Sequence, residues 1–371
     1  MEKKKTIVVS AVNLNVGGTL TILRDCLSYL SSLNKEGDYR IIAVVYDKDL
    51  AYYPYIEYIE NKWPKKSWLN RLWYEYISLN KISKQIGPVF LWLSLHDTTP
   101  NVIAERQAVY CHNPFPFYHW KFKEILFAPK IVGFSLFSKL IYQKGIHRNL
   151  FVIVQQQWIK DAFKRMFGLA KDKIIVALPT ENSDNNWSIK PSEGTVEIPS
   201  FIYAASPNSH KNFECLCEAT RILAINTDSE FNVKLTIDGT ENAYSKWLYK
   251  KWGSVKQIKW EGFQDRKSMF KLYNEASCLV FPSKVETWGL PITEFASFKK
   301  PMLLANLPYA KETAASTSNA AFFNSENPQE LAELMLAFIE QKKGVFSTVP
   351  EKNLEEPVSK SWEQLFSILL K

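Results

Sequence analysis

Short apolar runs alternate with stretches of helical periodicity along most of the chain. Residues 6–12 and 40–46 read as strands. Between them Leu20, Leu23, Leu27 and Leu30 recur at helical spacing and mark one face of a helix. Residues 89–95, 108–111, 130–134 and 151–154 are further short apolar runs, with helical stretches between several of them. Continuous apolar runs rather than alternating ones suit strands buried on both faces. Such an order predicts a mostly parallel sheet covered by helices.

A polar stretch, residues 180–194, has the composition of a linker. A second series then begins. Residues 201–205 read as a strand, followed by a helix from about Asn212. Runs at 233–237, 258–260, 278–281 and 301–305 follow, with helices near 267–275 and around Glu294. Asn327-Pro328-Gln329-Glu330 predicts a helix start with Asn327 as N-cap. Residues 358–370 predict a terminal helix carrying Trp362, Leu365, Leu369 and Leu370. The expected domains are 1–185, 195–345, and a C-terminal segment, 346–371.

Composition narrows the class. The chain has 371 residues, 46% of them hydrophobic and 23% charged, which suits two folded domains rather than a disordered chain. Five cysteines, with Cys215-Leu216-Cys217 not spaced for zinc, predict neither a disulfide framework nor a structural metal. No run is long enough to cross a membrane, and residues 6–12 read as a buried strand rather than a signal sequence. Charge is uneven. Residues 1–180 hold 25 Lys and Arg against 14 Asp and Glu, whereas the remainder holds 21 against 24. A basic first half predicts contact with an anionic surface or ligand.

The densest chemistry lies in the string from Phe281 to Ala296. Phe281-Pro282-Ser283 closes an apolar run, Glu286 follows on the loop, and Gly289-Leu290-Pro291 opens a helix that carries Glu294 in its expected first turn. Gly289 allows close backbone approach, and a helix N-terminus suits a phosphate. This string resembles the E-x7-E signature of retaining glycosyltransferases of the GT-B fold, glycosyltransferase family 4 (group 1). The resemblance implies two Rossmann-like domains facing across a cleft, with the C-terminal helix returning to the N-terminal domain. It implies that Glu294 binds the nucleotide ribose, Glu286 lies beside the donor sugar, and the Gly289–Leu290 region meets the phosphates.

Other strings fit the same resemblance. Gly17-Gly18 is similar to the family's N-terminal glycine loop near the diphosphate and acceptor. The stretch from Phe201 to Asn212 resembles a strand, loop and helix bearing an Arg and a Lys for the diphosphate. Lys211 fits the Lys, but Ala205 or Ser206 stands where the Arg is expected, so Ser206, His210 and backbone amides are candidates to cover that oxygen. Glu261-Gly262-Phe263 resembles the turn that meets the base, and His112 the first-domain histidine near the donor sugar. Glutamates that cap a helix, a plain glycine turn and a buried structural histidine are the competing readings.

The expectation is a metal-independent retaining hexosyltransferase that uses a nucleotide-diphosphate sugar as donor substrate and needs no cofactor. Glu286, Lys211 and His112 are its catalytic candidates; Gly17, Gly18, Ser206, Phe263, Gly289, Leu290 and Glu294 are its ligand-binding candidates. The acceptor is expected to be a glycan or lipid-linked hydroxyl in surface polysaccharide synthesis, and nucleic acid is not an expected partner. The location is expected to be cytoplasmic. Aromatic and basic residues at 63–74 leave peripheral contact with the inner membrane face open. A catalytically weak sugar-nucleotide-binding subunit and a GT-B-fold sugar-nucleotide epimerase are the alternatives.

Overall fold

The computed structural model describes residues 4–118, 120, 124–179 and 198–371. The chain forms two compact units. Unit 1 comprises Met1–Asn113, Phe137–Asn182 and Leu354–Lys371; unit 2 comprises Pro114–Leu136 and Ser183–Asn353. The polar stretch at 180–194 lies outside the described residues.

Unit 1 contains β1 (Lys5–Ser10), β2 (Tyr39–Val45), β3 (Glu57–Glu60), β4 (Leu91–Ser94), β5 (Arg106–Cys111), β6 (Phe151–Val154) and β7 (Ile174–Ala177). Unit 2 contains β8 (Ser200–Tyr203), β9 (Asn232–Leu235), β10 (Ile258–Trp260), β11 (Cys278–Phe281), β12 (Met302–Ala305) and β13 (Ala320–Phe323). The chain then adds β14 (Val358–Ser359) to unit 1. The two sheets run β14-β7-β6-β5-β4-β1-β2-β3 and β10-β9-β8-β11-β12-β13, and each strand pairing in them is parallel.

The apolar runs form these strands because both sheet faces are covered. Along β1, Ile7 and Val9 enter one core cluster while Val8 enters another, as the two-residue period of a strand requires. The helix Trp362–Leu369 buries Leu365, Phe366 and Leu369 in the first of these clusters. Each such side chain contributes roughly 1.5–3 kcal/mol on burial. Trp362 stacks on Tyr110 at 6.1 Å, and Phe366 on Tyr29 at 5.4 Å. Thus the terminal helix belongs to unit 1, as expected, although Ser361 caps it and Val358–Ser359 ahead of it is a strand.

Residues 130–134 are not a strand. They lie inside the helix Pro129–Gln143. A run as short as residues 130–134, apolar only from Ile131 on, satisfies either period, and only its longer context decides. Asn327 does cap its helix, accepting from the Glu330 N–H at 3.3 Å. The Glu330 carboxylate turns instead to the Asn324 N–H, so the box is not closed.

The strand order fixes where ligands can bind. In a doubly wound parallel sheet the crevice opens beyond the carboxyl ends of strands where the chain order reverses. In unit 2 that point lies between neighbouring strands β8 and β11; in unit 1 it lies between β1 and β4.

Candidate active site

The two loops at the unit 2 reversal carry Lys211 and Glu286. After β8 the chain makes a tight turn, Ser209–Lys211, before the helix Phe213–Asn226. Between them Asn212 adopts a left-handed conformation (φ 59°). Its side-chain amide donates to the carbonyls of Pro282 at 3.0 Å and Ser325 at 2.8 Å. The β8 loop is thereby fastened to the β11 loop. The Tyr203 hydroxyl donates to the Lys211 carbonyl at 2.7 Å and holds the lysine from beneath.

Lys211 Nζ and Glu286 Oε1 meet at 2.5 Å, with side chains 17% and 13% exposed. A lysine beside a helix N-terminus is electrostatically disfavoured, and the Glu286 carboxylate offsets that. The Ser283 hydroxyl lies 2.7 Å from the same Glu286 oxygen. The pair therefore forms a partly open, charged site held by three loop residues.

Gly289 stands at φ 93° and precedes the helix Leu290–Ala296. A side chain there would be strained by the backbone alone, and its Cβ would come within 3.3 Å of Ile292 Cδ1. Pro291 occupies the opening turn as expected, but Glu294 is the fifth residue of the helix rather than part of its first turn. Its carboxylate accepts from the Tyr273 hydroxyl at 3.3 Å and lies 3.8 Å from the Arg266 guanidinium. Burial raises the Glu294 pKa, with Arg266 and Tyr273 opposing the rise. Arg266 and Tyr273 lie in no motif, and only the fold brings them to Glu294.

The remaining unit 2 candidates line the same sheet edge. Ser206 is exposed after β8 and accepts from the Asn208 amide at 3.0 Å. Phe263, after β10, is 88% exposed, and Gly262 before it is left-handed at φ 69°. An aromatic face bare at a sheet's carboxyl edge is suited to stacking on a base.

In unit 1, Gly17 and Gly18 are exposed and open the helix Gly17–Leu33; Gly17 is left-handed at φ 60°. His112 follows β5. Its N–H donates to Asp97 Oδ1 at 2.7 Å, and its Nε2 lies 3.6 Å from Asp97 Oδ2. Burial lowers the His112 pKa, with Asp97 opposing the drop.

A second buried set lies after β4. Arg71 pairs with Glu75 at 2.9 Å and donates to the His96 carbonyl at 2.9 Å. Burial alone would raise the Glu75 pKa, but His96 and Arg71 pull it down to about 2. Arg71 therefore does not belong to the exposed basic surface at 63–74.

The chain does contain one Asp-x-Asp string, Asp47-Lys48-Asp49. It lies in unit 1, where Asp47 caps a turn through the Asp49 N–H and pairs with Lys62 at 2.6 Å. Those bonds account for the Asp47 carboxylate. Among the described residues no group of three or more His, Cys, Asp or Glu side chains is placed to hold a metal ion.

Comparison with known proteins agrees with this fold. The architecture matches that of a glycosyltransferase from Rickettsia africae with a TM-score of 0.62 and 17% identity, over 92% of this chain and 89% of that one. It matches HepE from Anabaena, solved in complex with UDP, with a TM-score of 0.61 and 15% identity, over 92% and 91%. Two Rossmann-like units of parallel sheet thus define a GT-B fold here. Residues 186–351, which contain Lys211, Glu286 and Glu294, match the family described as glycosyl transferases group 1. The serotype-specific mannosyltransferase WbdA of Escherichia coli is 29% identical over 101 residues, which is 27% of this chain and 12% of that protein.

Proposed function

We propose that this protein is a retaining, metal-independent glycosyltransferase of family 4, acting in polysaccharide or lipid-linked glycan synthesis. The observation that carries the reading is the Lys211–Glu286 pair at the unit 2 chain reversal, inside the segment that matches group 1 glycosyltransferases. The acceptor hydroxyl oxygen bonds to the anomeric carbon on the face from which the diphosphate departs, as the bond to the diphosphate breaks, and the hydroxyl proton passes to a departing phosphate oxygen. The leaving diphosphate takes the electron pair, so negative charge grows on it in the transition state. Lys211 is the cation placed to stabilise that charge. Glu294 holds the ribose hydroxyls, Gly289 and Leu290 admit the phosphates, and Phe263 faces the base. Glu286 and His112 position the donor sugar, while Gly17 and Gly18 serve the acceptor side.

Sugar nucleotides are the donors to test. HepE was solved with UDP-glucose, and WbdA is a mannosyltransferase. A thermal-shift panel of UDP, GDP, dTDP and their sugars tests the reading, because a ligand that binds only the native state raises its stability. A rise of several degrees with one nucleotide and its sugar supports it; no rise with any of them refutes it.

A second reading concerns the membrane. Leu69 and Trp73 are 75% and 60% exposed, and Lys65 and Lys66 lie nearby on the preceding turn. We propose that this surface rests on anionic lipid, with the aromatic and apolar groups at headgroup level. No helix among the described residues is long and apolar enough to cross a membrane. Attachment would therefore be peripheral, and it would place a lipid-linked acceptor within reach.

A further inference from the structure

The stretch Pro114–Leu136 lies between β5 and β6 in the chain, yet it belongs to unit 2. Phe115 sets its ring edge against His210, with centroids 5.2 Å apart, and Tyr118 approaches the same ring at 6.1 Å. Phe127 packs on Trp247 at 5.0 Å and on Tyr244 at 6.2 Å. The stretch thus covers the turn that carries Lys211.

Within this contact lies a chain of buried charge. Glu124 Oε1 meets Lys284 Nζ at 2.9 Å, and both side chains are buried. The other Glu124 oxygen accepts from the Tyr118 hydroxyl. Lys284 also faces Glu214 Oε1 at 3.5 Å, and Glu214 in turn accepts from the Tyr244 hydroxyl. Burial alone would lower the Lys284 pKa, but Glu214 and Glu124 outweigh it and raise it. A buried ammonium fixed by two carboxylates has little freedom to move.

The backbone of the same lysine is tied directly to the donor-site loops through its amide N–H. The Lys284 N–H donates to the His210 carbonyl at 2.8 Å. The neighbouring Ser283 hydroxyl lies 3.2 Å from the same carbonyl and 2.7 Å from Glu286 Oε1. It has one hydrogen, and the charged Glu286 oxygen is the stronger acceptor. Residues 283–286 and 209–211 are therefore stitched together, with Lys284 as the side-chain anchor behind the seam.

We infer that Glu124 is a positioning residue for the Lys211–Glu286 pair, acting through Lys284 to hold the 283–286 loop against the 209–211 turn. The inference rests on the donor-site reading of Lys211 and Glu286. Without the Glu124 charge, the ion pair left to Lys284 among the described residues is with Glu214, at the longer distance, with Glu326 acting only through space. The ammonium then shifts toward Glu214, and its backbone, two residues from Glu286, shifts with it. The stretch from Pro114 to Leu136 is thus a strap whose buried carboxylate sets the donor site.

Hydrogen exchange followed by mass spectrometry reads this directly, with no ligand present. In Glu124→Gln, the amides of residues 209–212 and 283–287 should exchange about tenfold faster while the strands of unit 2 stay protected. In Phe127→Ala, which removes a ring contact of the strap but leaves the Glu124–Lys284 pair in place, those amides should exchange as in wild type. If Glu124→Gln does not fold, Glu124→Asp keeps the charge but shortens its reach, and should accelerate the same amides about threefold. Unchanged exchange in the folded variant overturns the inference, as does an equal acceleration in Phe127→Ala. Calorimetric titration with UDP, GDP and dTDP forms a separate arm. If wild type binds none of them, the donor-site reading fails, while the exchange data still decide the role of Glu124.

Discussion

Replacing Glu286 by Gln separates the two roles proposed for it, neutralising Lys211 and holding the donor sugar. Lys211 is held 2.5 Å from Glu286, and both groups are largely buried. An arriving diphosphate must share that ammonium with a carboxylate and bear its negative charge nearby. Glutamine keeps the shape and can still accept from Ser283, but it removes the charge. One charged hydrogen bond is worth about 1.5–3 kcal/mol. Part of that is released to the ligand when Glu286 no longer competes. The diphosphate of the preferred nucleotide should therefore bind Glu286→Gln as tightly as wild type, or up to about tenfold more tightly. Transfer should fall by roughly 100-fold, because the donor sugar is no longer held. Lys211→Met should do the opposite to binding. It should weaken the diphosphate by roughly 10–100-fold relative to the bare nucleoside. It should also destabilise the fold by about 1–3 kcal/mol, between the values for exposed and fully buried pairs. Calorimetry with nucleoside, diphosphate and sugar nucleotide, together with melting curves, covers all of these outcomes. The reasoning fails if Glu286→Gln weakens the diphosphate as much as Lys211→Met does while leaving the nucleoside unaffected.

Other outcomes follow from the same geometry. Glu294→Ala should weaken nucleotide binding by roughly 1.5–3 kcal/mol through loss of the ribose contacts; unchanged affinity in a folded variant removes Glu294 from the site. Burial depresses the folded pKa of both His112 and His210, so their contribution to stability is full above pH 6.5 and is lost as pH falls below it. The urea midpoint should therefore drop between about pH 7.5 and pH 5.5, a window above the one in which Glu75 titrates; an unchanged midpoint contradicts the assignment. Charge reversal at Lys65 and Lys66 should reduce co-sedimentation with anionic vesicles at low salt and leave nucleotide binding intact; wild type that ignores such vesicles removes the membrane reading.

The fold was readable because its strands are buried on both faces. Runs such as Ile7–Val9 and Leu279–Phe281 stay apolar without interruption, and that pattern specifies a parallel sheet with little ambiguity. The failures have physical causes. Residues 130–134 satisfy both periods, so the sequence alone could not choose helix over strand. β3 reads Glu57-Tyr58-Ile59-Glu60, an edge strand whose charged ends blunt an exposed edge and hide its apolar signal. β14 has two residues, too few for any period to show. Arg71 falls in a basic, aromatic string, and only the turn of its helix reveals that it faces inward to Glu75.

The site divides along a different line. Glu286, Gly289 and Glu294 are legible because one strand, loop and helix carry them together. Lys211 and Glu286 are 75 residues apart, and they meet because β8 and β11 are neighbours at the chain reversal. The motif order implies that adjacency only if the sheet is assumed. Glu124 and Lys284 are 160 residues apart, and Glu124 sits in a stretch whose flanking strands both belong to the other unit. No periodicity or motif marks it, because its role depends on where the chain leaves one unit and returns. A buried lysine two residues before the candidate glutamate, Glu286, is the trace such a dependence leaves in sequence. Lys284 interrupts the otherwise uncharged run from Cys278 to Val285, and a charge in that position has to be met by a carboxylate from elsewhere in the fold. The motif thus names the groups proposed to touch the donor, while the groups that hold them come from outside it.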